Sequence, residues 1–182
     1  LRVLDALDGH EIRKLETTGP AMYLEYASDG KSALMLRGNE NICILDAESG
    51  KLAREWRGAP KVVTSARFSP DGQKVVSTGF ENSTRLWEVA TGKSAAVLDG
   101  LGNVSNVAIF TGDGKRVVTG GYAKTVQFWN LETGKEALAI RNRVFKNKDS
   151  EGSVVADVIV TPDLSTVVTV NMGGVICLYR KS

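Results

Sequence analysis

Histidine is almost missing from this chain. His10 is the only one in 182 residues, so a His-rich metal centre is excluded at the outset. Cysteine is nearly as scarce, and two thiols, Cys43 and Cys177, are too few for a disulfide framework. No run approaches the roughly 18 consecutive apolar residues of a membrane helix. No basic stretch followed by an apolar one opens the chain, so neither a membrane span nor a signal peptide is read. An excess of one charge is lacking too: 23 Lys and Arg against 21 Asp and Glu leave a net +2. That balance provides no broad field for nucleic acid or for cations. The first residue is Leu1 rather than Met, so the natural start is expected upstream. Cysteine usage alone suggests a cytoplasmic location.

What the chain has is repetition, the first thing to seek in a sequence. Ser28-Asp29-Gly30-Lys31 returns as Ser69-Pro70-Asp71-Gly72, as Thr111-Gly112-Asp113-Gly114 and as Thr161-Pro162-Asp163-Leu164. The aspartates stand 42, 42 and 50 residues apart. Ser49-Gly50-Lys51, Thr91-Gly92-Lys93 and Thr133-Gly134-Lys135 keep the same step of 42. Leu45, Trp87, Trp129 and Tyr179 mark a large apolar position in the same phase. Three independent markers agree, so the period is real.

Within each period, apolar residues alternate as they do in half-buried strands. Ala66 and Phe68 correspond to Ala108 and Phe110 and to Val158 and Val160; Val75-Val76, Val117-Val118 and Val167-Val168 mark a second strand. Turn residues fill every gap. In Ser69-Pro70-Asp71-Gly72 the proline presets φ, the aspartate bonds nearby backbone and Gly72 tolerates positive φ. Gly92 and Gly134 close a second hairpin by the same logic. The expectation is an all-β chain of four-stranded antiparallel meanders, with strands A to D in each.

These residues resemble the WD-repeat β-propeller family in a divergent, bacterial-looking form. The carriers are Phe68-Ser69-Pro70-Asp71-Gly72 with Thr84-Arg85-Leu86-Trp87-Glu88, and Val126-Gln127-Phe128-Trp129-Asn130. The resemblance implies that strand A lines a central channel and strand D lies outermost. It also gives structural roles to Phe68, Asp71, Gly72, Trp87, Gly92, Phe110, Asp113, Gly114, Trp129, Gly134 and Tyr179. Departures are plain. The Trp-Asp pair reads Trp87-Glu88 and Trp129-Asn130, and no Gly-His pair stands at a blade junction. The B–C turn has Glu81 or Ala123 where the family has Asp. The family's hydrogen-bonded tetrad is therefore expected to be absent, with packing around the two tryptophans holding the blades instead.

Residues 1–17 read as the second half of a blade, and 21–57, 62–98 and 104–140 as complete blades. Residues 141–153 read as an inserted loop and 154–182 as a last, incomplete blade. About four blade-equivalents result, expected to belong to a larger, seven-bladed ring, since propellers use four to eight blades. A four-bladed ring closed by the strand at Glu11–Glu16 is the alternative.

Candidate sites follow from this layout. The insertion carries Arg141, Arg143, Phe145, Lys146 and Lys148. It should share a rim with Lys61 and with Phe80, Glu81, Tyr122, Lys124 and Met172 of the B–C turns. Loops on rigid frames are where binding resides, and aromatics beside Arg and Lys make interface hot spots. Trp56 is a weaker candidate, read as edge cover. His10 reads as a solvated turn residue, and Gly100-Leu101-Gly102 precedes a strand, not the helix a dinucleotide fingerprint opens. Cys43 and Cys177 read as buried, inert thiols on different blades.

The function expected is a non-catalytic protein–protein interaction scaffold, with no cofactor and no metal. Its partner is a protein or peptide, besides further blades or another copy of the chain. A regulatory or targeting domain appended to an enzyme such as a kinase is the alternative, as in the bacterial WD-repeat proteins this pattern is similar to. A propeller hydrolase would need converging ligands, and only Glu81, Asp157 and Glu25 are at hand. Nucleic acid is not expected, because affinity tracks phosphates neutralised and the positive charge is local.

Overall fold

A computed structural model describes residues 2–14, 20–58, 62–80, 84–98, 104–122, 125–141 and 154–180. Seventeen strands and no helix occur among them. β1 (Arg2–Leu4) and β2 (Glu11–Lys14) pair as a two-stranded sheet. β3 (Ala21–Tyr26), β4 (Ser32–Arg37), β5 (Asn41–Asp46) and β6 (Leu52–Arg57) form the first four-stranded meander. The second consists of β7 (Val63–Phe68), β8 (Lys74–Gly79), β9 (Thr84–Glu88) and β10 (Ser94–Leu98). The third consists of β11 (Ser105–Phe110), β12 (Arg116–Gly121), β13 (Thr125–Asn130) and β14 (Lys135–Arg141). β15 (Val155–Val160), β16 (Thr166–Asn171) and β17 (Ile176–Arg180) make a three-stranded sheet. All pairings are antiparallel. Among the described residues β2 pairs with β1 and not with β17.

The turns behave as their residues dictate. Ser69 Oγ donates to Asp71 Oδ1 at 2.5 Å, and the same carboxylate accepts the Gln73 amide at 3.0 Å. Thr111 with Asp113 and Thr161 with Asp163 repeat the arrangement at 2.6 Å each. These bonds favour the charged form, so all three aspartates ionise below their ordinary range, Asp163 at about 2. Gly72 and Gly114 take φ of 70° and 67°, and Leu164 occupies the same corner at φ 59°. A leucine there is strained, because its Cβ crowds the backbone in the left-handed region.

Successive four-stranded and three-stranded sheets bury facing side chains against one another. Leu34, Leu36, Ile42 and Ile44 of the first meander meet Val63, Ala66, Phe68, Val75 and Trp87 of the second. Val76, Leu86 and Leu98 of the second meet Ala108, Val117 and Trp129 of the third. Val107, Val118, Val126 and Phe128 of the third meet Val155, Val158 and Val167 of the last. The anchor residues sit in matching places. Trp56 packs on Trp87, Leu98 on Trp129 and Ile140 beside Tyr179, each from the outermost strand of the preceding sheet. Trp56, expected at the edge, is thus half-buried, with its ring centroid 6.2 Å from that of Trp87.

The indoles also have polar partners. Trp87 Nε1 donates to Ser77 Oγ at 2.8 Å, and Ser77 Oγ donates to the Gly58 carbonyl at 2.9 Å. Trp129 Nε1 donates to Thr119 Oγ1 at 3.1 Å. Packing was expected to hold the blades in place of the family's tetrad; these indole–hydroxyl bonds show that packing is not alone in doing so.

Candidate functional site

The first strands of all four main sheets converge on one cavity of about 540 Å³. Each of these strands carries a β-bulge at the same place, between Ala21 and Tyr23, Val63 and Ser65, Ser105 and Val107, and Val155 and Asp157. A bulge adds one residue and re-aims it. The extra residues are Met22, Thr64, Asn106 and Ala156, and all four line the cavity. Two of them stitch neighbouring sheets together. Thr64 Oγ1 donates to the Ser105 carbonyl at 3.1 Å, and Asn106 Nδ2 donates to the Val155 carbonyl at 3.4 Å. Nothing in the sequence distinguishes these residues, because a bulge leaves the alternating pattern only one residue out of step.

Above the bulges, the turn after each second strand is pinned in the same way. The amides of Gly38, Phe80, Tyr122 and Met172 donate to the carbonyls of Pro20, Val62, Val104 and Val154, at 3.0–3.1 Å. The backbone at these turns is fixed, yet the Phe80, Tyr122 and Met172 side chains are 46%, 45% and 59% exposed. Together they form an apolar collar on the cavity. Three large apolar groups are thus exposed on one rim rather than packed in the core.

Tyr23, Arg67 and Asp157 give the cavity lining its polar side, and Glu25 lies beside Arg67 in an adjoining hollow. The Arg67 guanidinium lies 4.2 Å over the Tyr23 ring, and its Nη1 donates to the Ala66 carbonyl at 3.1 Å. Burial raises the Tyr23 hydroxyl's pKa, opposed by Arg67. Glu25 accepts the Phe68 amide at 3.1 Å from the neighbouring sheet; burial raises its pKa, and that bond and Arg67 oppose the rise. Asp157 lines the same cavity and accepts the Val158 amide at 2.9 Å. Glu25 and Asp157, the carboxylates considered for hydrolysis, thus serve strand backbone.

Of the sequence-derived rim residues, Phe80, Tyr122 and Met172 come together here. Arg141 ends β14, one residue deeper into the strand than the loop boundary placed it. Lys61, Glu81, Lys124, Arg143, Phe145, Lys146 and Lys148 lie outside the described residues. Cys43 is buried, and burial with the nearby Glu55 pushes its thiol up to about 11. Cys177 is buried as well. Among the described residues, Asp5, Asp8 and His10 form a group with ligand atoms within 4.8 Å of one another. Asp5 Oδ1 there caps the turn through the Leu7 amide at 2.8 Å, as Asp46 and Asn130 cap theirs. His10 Nδ1 contacts Asp8 at 2.6 Å in an exposed turn.

Successive meanders sharing one inner cavity define a β-propeller-type repeat protein. A family profile for the WD domain, G-beta repeat, matches residues 50–88 and 92–130, which supports WD repeats over those two spans. Each matched span runs from the last strand of one sheet through the third strand of the next, so the sequence repeat straddles two blades. No curated protein matches the chain. Proteins with WD repeats serve generally as protein-interaction scaffolds. Among the described residues no helix is long and apolar enough to cross a membrane.

Proposed function

We propose that this chain is a non-catalytic scaffold that binds a protein or peptide at the cavity mouth, with Phe80, Tyr122 and Met172 as the contact residues. The observation that carries the reading is the collar itself: three exposed apolar side chains on pinned turns at equivalent positions of three blades. Preorganised turns keep the ordering cost of binding low. The polar side of the lining, with Arg67 and Asp157, supplies orientation.

The test is selection of peptides from a displayed library on the chain, followed by titration against F80A, Y122A and M172A. A hot-spot aromatic contributes about 2 kcal/mol, so F80A or Y122A should each weaken a selected peptide roughly 30-fold. Stability should barely change, since the side chains are exposed. Selected peptides that bind the triple alanine variant undiminished would defeat the proposal, as would a selection with no enrichment.

A further inference from the structure

We infer that Arg67 is the receptor for one carboxylate of the bound peptide, so that the partner presents an acidic group beside apolar residues. The inference rests on the cavity-mouth reading and names the chemistry of the peptide that the collar holds.

β7, which carries Arg67, has a packed sheet on either side of it. The guanidinium is held in place, 4.2 Å over the Tyr23 ring and bonded through Nη1 to the Ala66 carbonyl at 3.1 Å. An arginine has five N–H donors, so most of them stay available. Among the described residues no ion pair includes Arg67. The carboxylates that share the hollow with it, Glu25 and Asp157, accept the Phe68 and Val158 amides. A fixed guanidinium without a counter-ion suits a carboxylate, whose two oxygens match its parallel N–H groups. Ser65 leaves the strand on the same side, two residues earlier. It lines the cavity, is 5% exposed, and its hydroxyl has no hydrogen-bond partner among the described residues. A buried hydroxyl left unpaired is a second donor on that side.

Glu25 and Asp157 also limit the charge of the guest. A carboxylate brings one negative charge to the Arg67 fork, whereas a phosphate brings nearly two and meets the two carboxylates with both. The apolar neighbours of the acidic group meet Phe80, Tyr122 and Met172, which line the same cavity.

The experiment selects peptides on the whole chain from a displayed random library and titrates the tightest one as a synthetic set. The set holds the selected sequence, the same with glutamine or asparagine for its acidic residue, with phosphoserine there, and with an amidated C-terminus. Loss of a charge-assisted pair should weaken binding at least about tenfold. Loss on removing the side-chain acid or on amidation tells which carboxylate Arg67 holds. In R67Q the selected peptide should bind no better than its uncharged version, and R67K should retain part of the preference. R67K keeps the positive charge, and the peptide substitutions leave the protein untouched, so the test survives if R67Q does not fold. Peptides that need Phe80 or Tyr122 but bind equally without a carboxylate would overturn this inference and leave the collar standing. Phosphoserine binding as tightly as the acid, or an unchanged acid preference in R67K and R67Q, would overturn it as well. Peptides indifferent to the collar variants would defeat the cavity-mouth reading and this inference with it.

Discussion

Ser77→Ala removes one hydroxyl and orphans two buried groups. Ser77 is 1% exposed; its Oγ accepts from Trp87 Nε1 and donates to the Gly58 carbonyl, so a single atom joins the anchor of the second blade to the end of the first. An unsatisfied buried donor or acceptor costs roughly 1–3 kcal/mol. With two orphaned and some relaxation, we expect a loss of about 3 kcal/mol. Thr119→Val orphans only the Trp129 indole, so about 1.5 kcal/mol is expected there. Trp87→Phe removes the donor while leaving Ser77 bonded to Gly58. The double variant S77A/W87F should therefore lose less than the two single losses added, by about 1–2 kcal/mol. Urea unfolding followed by far-UV circular dichroism measures all four variants. Additivity of the pair within about 0.5 kcal/mol, or a Thr119→Val loss equal to that of Ser77→Ala, would refute the reasoning.

Gly121→Ala should be far more damaging than its size suggests. Its Cβ would lie 2.3 Å from the Val104 carbonyl oxygen and 2.7 Å from the Ser105 Cα, backbone atoms that cannot rotate aside. A loss at or above the upper end of the usual range of about 1–3 kcal/mol for overpacking is expected in the same urea assay. Leu164→Gly should be near neutral, within about 1 kcal/mol, since relief of the φ 59° strain offsets lost burial. Leu34→Ala, at a fully buried site, should cost about 2–5 kcal/mol in parallel measurements. Acid should loosen the chain through the turn aspartates. Their pKa values are depressed on folding, so the stabilisation is complete above the unfolded value near pH 4 and fades as pH falls towards 2. Replacing Asp71, Asp113 and Asp163 together by Asn should flatten the acid limb of a stability–pH curve between those limits.

The fold was legible because its cause is repetitive. A turn that needs Asp and Gly at fixed offsets must recur wherever the meander recurs, and Asp29, Asp71, Asp113 and Asp163 record each recurrence. The collar was legible for a related reason, since Phe80, Tyr122 and Met172 are large apolar residues standing just where a strand gives way to a turn. Ser77 and Thr119 were not, because a hydroxyl on a strand looks the same whether it faces water or an indole. Trp56 was misjudged as edge cover, since its partner, Trp87, belongs to the next blade and adjacency between blades leaves no local mark. The bulge residues were invisible for a similar reason: Thr64 and Asn106 act on carbonyls more than 40 positions away.

The tilted pair of Trp56 and Trp87 gives the molecule an optical signature confined to one seam. Two indoles this close couple excitonically, whereas the following seam joins a leucine to a lone indole and has no such doublet. Loss of the coupled band during denaturation would report the parting of the first and second sheets alone, and its timing against the bulk signal would tell whether the array opens seam by seam or all together.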